Sequence, residues 1–446
     1  MKFINKEKEM NEESVGIIVT VRLQSSRIFQ KAIQKIKNKT TLEILLDHVS
    51  NNRYPVIVAI PENKENDILA EIAEAKGIEV FRGNDESPLH RIVECADKYC
   101  FDHIVRITAD DILIDLFILF GQIKFHLRGN HDYTFCSRCP EGVAGEVIRV
   151  DILRDVINKY GNKPIEFISY YIKNKYDTIE YYPAGYEYQF PYRLTMDYPE
   201  DLTILRILFA SLREGFGTLD IINFFEQHKY FLQINRLPAI TIYTCNYNTS
   251  QYILETINSV LAQNFDDYEY IIIDDFSSDN SMNLIMQYYS TLPDYYKSKI
   301  KIYRNNKNEG LTVCSNKGLE MARGKYIMRL DSDDILEPKA LQTMIEAIKI
   351  YDVQGVISQY FYINEKDEGI KIEKENKFHP AGCLLAKWVV NEIKYQEDLK
   401  YLDGKPFFEK FNQDYKLKFL EEPLWNYRKH AKQKTVQKDH PDNKKL

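Results

Sequence analysis

Short apolar runs alternate with helix-periodic stretches from Val15 onward. Val15–Val21, Pro55–Ile60, Ile78–Phe81 and His103–Ile107 read as strands. Asn66–Ala75 and Pro88–Tyr99 read as helices between them, the first closed by Gly77 in a C-cap position. This strand–helix–strand rhythm predicts a mostly parallel sheet. It then starts afresh, with strands at Ala239–Thr244, Tyr270–Ile273, Lys301–Tyr303 and Tyr326–Leu330 and a helix at Gln251–Ala262. The intervening stretch Phe224–Pro238 has mixed polarity and ends in proline. We therefore expect an α/β chain of two tandem Rossmann-like domains, residues 1–235 and 236–446, each around a mostly parallel central sheet.

Two of the predicted strands end in acid. Tyr326–Leu330 runs into Asp331-Ser332-Asp333-Asp334, and Tyr270–Ile273 runs into Asp274-Asp275. Carboxylates at the carboxyl ends of adjacent strands lie where open α/β sheets bind ligands. Two Asp side chains one residue apart at such an edge can hold a divalent cation through oxygen, and the cation can hold a diphosphate. The pattern points to a nucleotide-linked substrate.

Residues 238–446 resemble a family 2 glycosyltransferase of the GT-A fold. The matching segments are Thr244-Cys245-Asn246-Tyr247-Asn248, Ser259-Val260-Leu261-Ala262-Gln263, Asp274-Asp275-Phe276-Ser277-Ser278-Asp279, the glycine series Gly310, Gly318 and Gly324, and Leu330-Asp331-Ser332-Asp333-Asp334. Their shared order and spacing make the signal strong. The resemblance implies that Thr244, Asn246, Asp275 and Asp331 contact the nucleotide or sugar, with Asp275 on the base. It implies Asp333, helped by Asp331 and by His430 of Tyr427-Arg428-Lys429-His430, as ligands of Mg²⁺ or Mn²⁺. A carboxylate must also take the acceptor hydroxyl's proton. The candidates are Asp403 and, second, Asp398; related sequences carry a further Asp where this chain has Pro406.

Residues 15–235 resemble the cytidylyltransferases that make CMP-activated acidic sugars, in their spore-coat-polysaccharide branch. The resemblance rests on the loop Val21–Lys31, on Arg82-Gly83-Asn84, on Arg106-Ile107-Thr108-Ala109-Asp110, and on Arg193-Leu194-Thr195-Met196-Asp197-Tyr198-Pro199-Glu200-Asp201-Leu202. It implies that Arg22, Ser25, Arg27 and Lys31 meet the triphosphate of CTP, and that Asp110 and Asp197, each read as ending a strand, share Mg²⁺. Gln24 and Gln30 stand where the family has glycine, Phe29 where it has proline, and His90 where it has an acid. Glutamine crowds the approach of backbone amides to phosphates, so slow turnover of CTP is expected.

Composition narrows the setting. A net charge of −7 excludes the basic footprint of a nucleic-acid binder. Seven cysteines are scattered; Cys136 and Cys139 form a C-x-x-C without the second pair that zinc requires. Free thiols fit a reducing cytoplasm. Met1–Lys6 continues into charge rather than a signal-peptide core, and no apolar run reaches membrane-spanning length. The expected location is cytoplasmic, with peripheral binding at the inner face of the membrane as a variant.

Together these readings describe a bifunctional enzyme of surface-polysaccharide biosynthesis. One domain activates a sugar with CTP, and the other transfers a glycosyl unit from a UDP-, GDP- or CMP-linked sugar to a glycan acceptor. Two alternatives stay open: an active glycosyltransferase with a catalytically dead first domain that binds a nucleotide or serves as a homodimer platform, and a non-catalytic scaffold that binds nucleotide sugars and organises a glycan assembly complex.

Overall fold

The computed structural model describes residues 14–430 apart from 26, 51, 162–164, 166, 167, 174, 184–189, 191, 364–368, 371–380 and 397–403. The chain divides into two compact units, Met1–Arg236 and Leu237–Leu446. Phe224–Pro238 is therefore not a bare connector. It begins inside the helix Thr218–Gln227, whose Phe225 is buried in the first unit's core.

In the first unit the strands are β1 (Val15–Thr20), β2 (Val56–Pro61), β3 (Glu79–Gly83), β4 (His103–Thr108), β5 (Tyr133–Phe135), β6 (Glu146–Arg149) and β7 (Thr178–Glu180). They form one sheet in the order β3-β2-β1-β4-β6-β5-β7. The β3-β2-β1-β4 half is parallel, whereas β6 runs antiparallel to β4 and β5. β1 shows why its apolar run is continuous. Ile17 and Val19 enter the core on one face and Ile18 the core on the other, as a strand covered on both sides requires. The helix Asp67–Ala75 stops where the sequence indicates. Gly77 takes φ +70°, its N–H donates to the Glu74 carbonyl, and the Ile78 N–H donates to that of Ala73.

The second unit contains β8 (Ile240–Asn246), β9 (Tyr268–Asp274), β10 (Ile300–Arg304), β11 (Tyr326–Arg329), β12 (Ile335–Leu336), β13 (Gly355–Ile363), β14 (Gly369–Ile370), β15 (Cys383–Ala386) and β16 (Leu417–Arg428). Their order is β10-β9-β8-β11-β15-β13-β16-β12, with β14 beside β13. The β10-β9-β8-β11 block is parallel, and β15 joins it antiparallel. Residues again alternate between two cores: Tyr270 and Ile272 on one side, Ile271 and Ile273 on the other. Gly324 precedes β11 because no side chain fits there; a Cβ would lie 2.4 Å from the Thr241 backbone nitrogen.

Asp331–Asp334 follows its strand as expected, in a turn between Arg329 and Ile335. Two sequence expectations need correction. Asp197 does not end a strand; it lies in irregular chain just before the helix Pro199–Ser211. Of the two loop glutamines only Gln30 occupies the left-handed region, at φ +46°.

One buried polar pair gives the first unit a pH signature. His103 Nδ1 and His126 Nε2 lie 3.0 Å apart, and His126 Nδ1 is 2.8 Å from Thr134 Oγ1. Burial, reinforced by His103, pushes His126 down to about 3. Its folded pKa is thus below the unfolded value, so the unfolded chain binds the extra proton between about pH 6.5 and 3. The stability contribution is complete above about pH 6.5 and falls as pH drops, by up to about 1.4 kcal/mol per pH unit. We expect the His126 ring resonances not to titrate between pH 8 and 5 and urea midpoints of this unit to fall as pH drops below about 6.5. A ring titrating near pH 6.5 would refute this.

Candidate functional site

The carboxyl edge of the first sheet carries one charged cluster. The loop after β1 delivers Arg22, Ser25, Arg27 and Lys31; the turn after β4 delivers Asp110; the segment before Pro199 delivers Asp197. Lys31 Nζ lies 2.6 Å from Asp110 Oδ2 and 3.7 Å from Asp197 Oδ1, so one ammonium touches both carboxylates. Arg27 Nη1 is 3.6 Å from Asp197, and its guanidinium lies over the Tyr198 ring at 5.2 Å. The structure thus brings together Arg27, Lys31, Asp110 and Asp197, which 87 positions of chain separate at their acidic ends (197 − 110). Arg22 is exposed and Ser25 half-buried on the same loop.

The two acids are tuned in opposite directions. Burial raises Asp110, and the neighbouring Asp197 charge adds to it while Lys31 opposes it. Burial would raise Asp197 too, but Lys31, Arg27 and Arg193 outweigh it and hold that carboxyl below the usual range.

Arg193 is the organiser that the sequence motif contained but that carried no role in our reading. Its Nη2 donates to Asp197 Oδ2 at 2.7 Å, its Nε to Asp201 Oδ1 at 3.1 Å, and its Nη1 to Glu141 Oε2 at 2.9 Å. Asp201 Oδ2 in turn accepts the backbone N–H groups of Asp197 and Tyr198, at 2.9 and 2.8 Å. Asn235 closes the set, donating to Asp201 Oδ1 and to the Arg193 carbonyl. A second missed cation is Arg91, which is 3% exposed and keeps Nε and Nη1 without a hydrogen-bond partner. Burial and the charge of Arg22 push it down to about 10.

In the second unit the turns after β8 and β9 are laced together. The Asp275 N–H donates to the Asn246 carbonyl at 2.8 Å, and the Asn248 N–H to Ser277 Oγ at 3.0 Å. Thr244 and Asn246 are buried and already engaged: Thr244 Oγ1 accepts from Tyr270, and Asn246 Nδ2 donates to Asp274 and Ser277. Their side chains shape the turn; the exposed rings on the two turns are Tyr247 and Phe276. Asp275 accepts from Asn305 Nδ2 and from the backbone N–H groups of Glu309 and Gly310, each at 2.8 Å. Burial alone would raise it, but these donors hold it below the usual carboxylate range.

The Asp331–Asp334 turn is tied down from both sides. Arg329 grips Asp331 at 2.7 and 3.3 Å. His430 Nε2 lies 2.9 Å from Asp333 Oδ2, with its ring 4.8 Å from that of Tyr252. Arg428, 1% exposed, donates its Nε to the Asp333 carbonyl, its backbone N–H to Asp334 Oδ1, and an Nη2 hydrogen to Glu255. His430 Nδ1 and Asp334 Oδ2 are buried without partners. No three His, Cys, Asp or Glu side chains converge on one point among the described residues. Asp398 and Asp403 lie outside the described residues. Tyr395 pairs with Asn316 in both directions and has the Arg329 guanidinium 5.8 Å from its ring centre, so the chain leading to Asp398 is anchored beside Arg329.

Residues 16–237 match the family model for cytidylyltransferases, and residues 241–428 match that for glycosyl transferase family 2. The spore coat polysaccharide biosynthesis protein SpsF of Bacillus subtilis is 28% identical over 215 residues, which span 44% of this chain and 87% of that protein. Glycosyltransferase GlyG of Streptococcus pneumoniae is 24% identical over 212 residues, 42% of this chain and 69% of that one. A solved cytidylyltransferase structure from Leptospira borgpetersenii aligns at a TM-score of 0.46 and 25% identity, covering 50% of this chain and 98% of its own.

The Arg193–Asp201 pair yields a test of the first site's architecture. Asp201→Ala takes one of three carboxylates from Arg193 and leaves two backbone N–H groups without their acceptor. We expect a loss of about 1–3 kcal/mol, the cost of leaving a buried polar group unpaired. Hydrogen exchange of the helix Pro199–Ser211 reads it, and a loss below about 0.5 kcal/mol, the scale of an ordinary surface change, would show that the pair is dispensable.

Proposed function

We propose that this chain, a cytidylyltransferase domain joined to a family 2 glycosyltransferase domain, makes an activated sugar in its first unit and builds surface polysaccharide in its second. The observation that carries the reading is the same in both units. At the carboxyl edge of each parallel sheet an acidic side chain is held by a largely buried arginine, Asp197 by Arg193 and Asp331 by Arg329.

In the first unit the reaction joins a sugar oxygen to the α-phosphate of CTP and expels pyrophosphate. Arg22, Arg27 and Lys31 balance triphosphate charge, and Ser25 sits on the loop that wraps it. The partnerless Nε and Nη1 of Arg91 fit the same anion from below the loop. Asp110 and Asp197, both in contact with Lys31, are the carboxylates suited to Mg²⁺ once phosphate oxygens draw the lysine away.

In the second unit the donor is a UDP-, GDP- or CMP-linked sugar. Tyr247 and Phe276 offer rings to the base, and Asp275 precedes Phe276 on the same turn. Family 2 enzymes of the GT-A fold typically use a divalent metal. Carboxylate and imidazole donors at Asp333 and His430, together with the unpartnered Asp334 oxygen, fit Mn²⁺ or Mg²⁺, with Asp331 assisting. Such an ion, when bound, neutralises the leaving diphosphate. Arg329 orients Asp331, and Arg428 fixes the turn. The base that deprotonates the acceptor is Asp403, with Asp398 the alternative. The chain works as a cytoplasmic enzyme that meets its acceptor at the inner face of the membrane; among the described residues no helix is long and apolar enough to cross one.

Asp333→Asn is expected to lower glycosyl transfer by about 100-fold or more, through the loss of several kcal/mol of charge stabilisation, while leaving the fold intact. Donor turnover with Mn²⁺ and a circular-dichroism melt check this; a variant as active as the parent rules out the assignment.

The first unit is expected to release pyrophosphate slowly from CTP, Mg²⁺ and acidic sugars. Gln30 sits at φ +46°, a conformation that costs a non-glycine residue about 1 kcal/mol, whereas Gln24 does not adopt positive φ. Gln30→Gly should therefore stabilise the unit by about 1 kcal/mol and speed release, with Gln24→Gly adding little. Fast release by the parent, unimproved in the Gln30→Gly variant, would show that the loop is competent as it stands.

A further inference from the structure

The first unit holds a C-x-x-C pair that no step of either reaction uses. Cys136 and Cys139 follow β5 on the loop to β6, and their sulfurs lie 3.3 Å apart as free thiols. Cys139 is 8% exposed and packs in the core cluster with Val143, Tyr192 and Leu194. Cys136 is half-buried and packs against the same cluster from outside. The pair therefore has one reachable sulfur and one enclosed sulfur already in contact.

We propose that Cys136 and Cys139 form a redox-modification site, at which a peroxide converts the two thiols to a disulfide that disturbs the Arg193 network. Cys136 is the attacking sulfur. Its pKa is lowered by the contact with Cys139, whereas Cys139 is raised by Cys136 and by burial. The Cys136 thiolate displaces hydroxide from hydrogen peroxide to give a sulfenic acid. The Cys139 sulfur then attacks the Cys136 sulfur, the S–S bond forms, and water leaves with the Cys139 proton. In sum two thiols and one peroxide give one disulfide and two waters, the two electrons passing from sulfur to the O–O bond. Closure to about 2.05 Å moves the sulfurs by only about 1.3 Å, within the reach of a local loop adjustment.

The consequence follows from what Cys139 is joined to. Pro140 and Glu141 come next in the chain. The Glu141 N–H donates to the Tyr192 carbonyl at 2.8 Å, and the Leu194 N–H donates to the Glu141 carbonyl at 2.7 Å. The Glu141 carboxylate holds Arg193 Nη1, and Arg193 holds Asp197 and Asp201. Drawing Cys139 toward Cys136 pulls on this short connection at its Glu141 end. Nothing softer intervenes, because Arg193 is also fixed by Asp201 and Asn235. A shift of Glu141 is therefore felt at Asp197, the carboxylate that shares Lys31 with Asp110. The disulfide site stands on its own; the effect on nucleotide rests on the reading of Asp110 and Asp197 given above.

The test uses the full chain, treated with hydrogen peroxide and then digested under thiol-blocking conditions. We expect a peptide carrying the Cys136–Cys139 disulfide, restored to two thiols by dithiothreitol, and absent from Cys136→Ser. Isothermal titration with CTP and Mg²⁺ should show affinity falling about fivefold or more on oxidation, the lower end of typical coupling between sites, in the parent but not in Cys136→Ser. Two thiols that remain alkylatable after peroxide would overturn the modification site. A disulfide that forms without change in CTP affinity would overturn its link to Arg193. If the reduced parent binds no CTP, the nucleotide reading of this unit fails, while the peptide result still decides the dithiol.

Discussion

Arg193 and Arg428, both largely enclosed, hold carboxylates together at edges where like charges would otherwise push them apart. Arg193 forks across Asp197, Asp201 and Glu141. Arg428 reaches Glu255, the Asp333 carbonyl and, through its backbone, Asp334. A guanidinium presents several donors in one plane, so a single buried residue can fix several acceptors at once. Each arginine also ties distant chain to its site. Asn235 brings the end of the first unit onto Arg193 and Asp201, and the end of β16 delivers both Arg428 and His430 to the acidic turn. The sites thus depend on segments far along the chain from their acids, Asn235 in the first unit and the end of β16 in the second.

Much of this was legible in the sequence because its signals are local. Apolar runs such as Val15–Val21 and Tyr270–Ile273 announce strands buried on both faces, and Gly77 announces a helix end. Gly324 is legible only as part of a motif. Its cause, a backbone passing 2.4 Å from where a Cβ would sit, belongs to tertiary packing. Asp110 and Asp197 were named from motif resemblance, and the fold brings them to one lysine. The structural setting of Asp197 was misread because the segment Leu194–Tyr198 pairs through side chains and isolated bonds, which leave no periodicity to read.

What escaped the sequence is partnership. Arg193 and Asp201 stand eight positions apart across an irregular segment and a helix start, a spacing that no single element would make a contact. Arg91 occupies an ordinary helix position, and only burial beside Arg22 marks it. Thr244 and Asn246 show the reverse. Polar residues at a strand end suggest ligand contact, yet here both are fully enclosed and spend their hydrogen bonds on Tyr270, Asp274, Ser277 and Thr249. The rings exposed next to them, Tyr247 and Phe276, are better placed to meet a ligand.

Charge balance bears on the divalent ions proposed for the two edges. At the first edge Asp110 and Asp197 share Lys31, with Arg27 beside Asp197, while Asp201 and Glu141 are taken up by Arg193. Burial, and then Asp197, raise Asp110 despite its contact with Lys31. At the second, among the described residues, Asp331, Asp333, Asp334 and Glu255 lie with Arg329, Arg428 and the His430 ring. Burial, with Asp333 and Asp331 beside it, raises Asp334 well above its ordinary value. At the second edge a phosphate chain brought alone would add negative charge to negative charge. Brought with a divalent cation it neutralises the carboxylates while they neutralise the ion, so metal and phosphate should bind together rather than in turn.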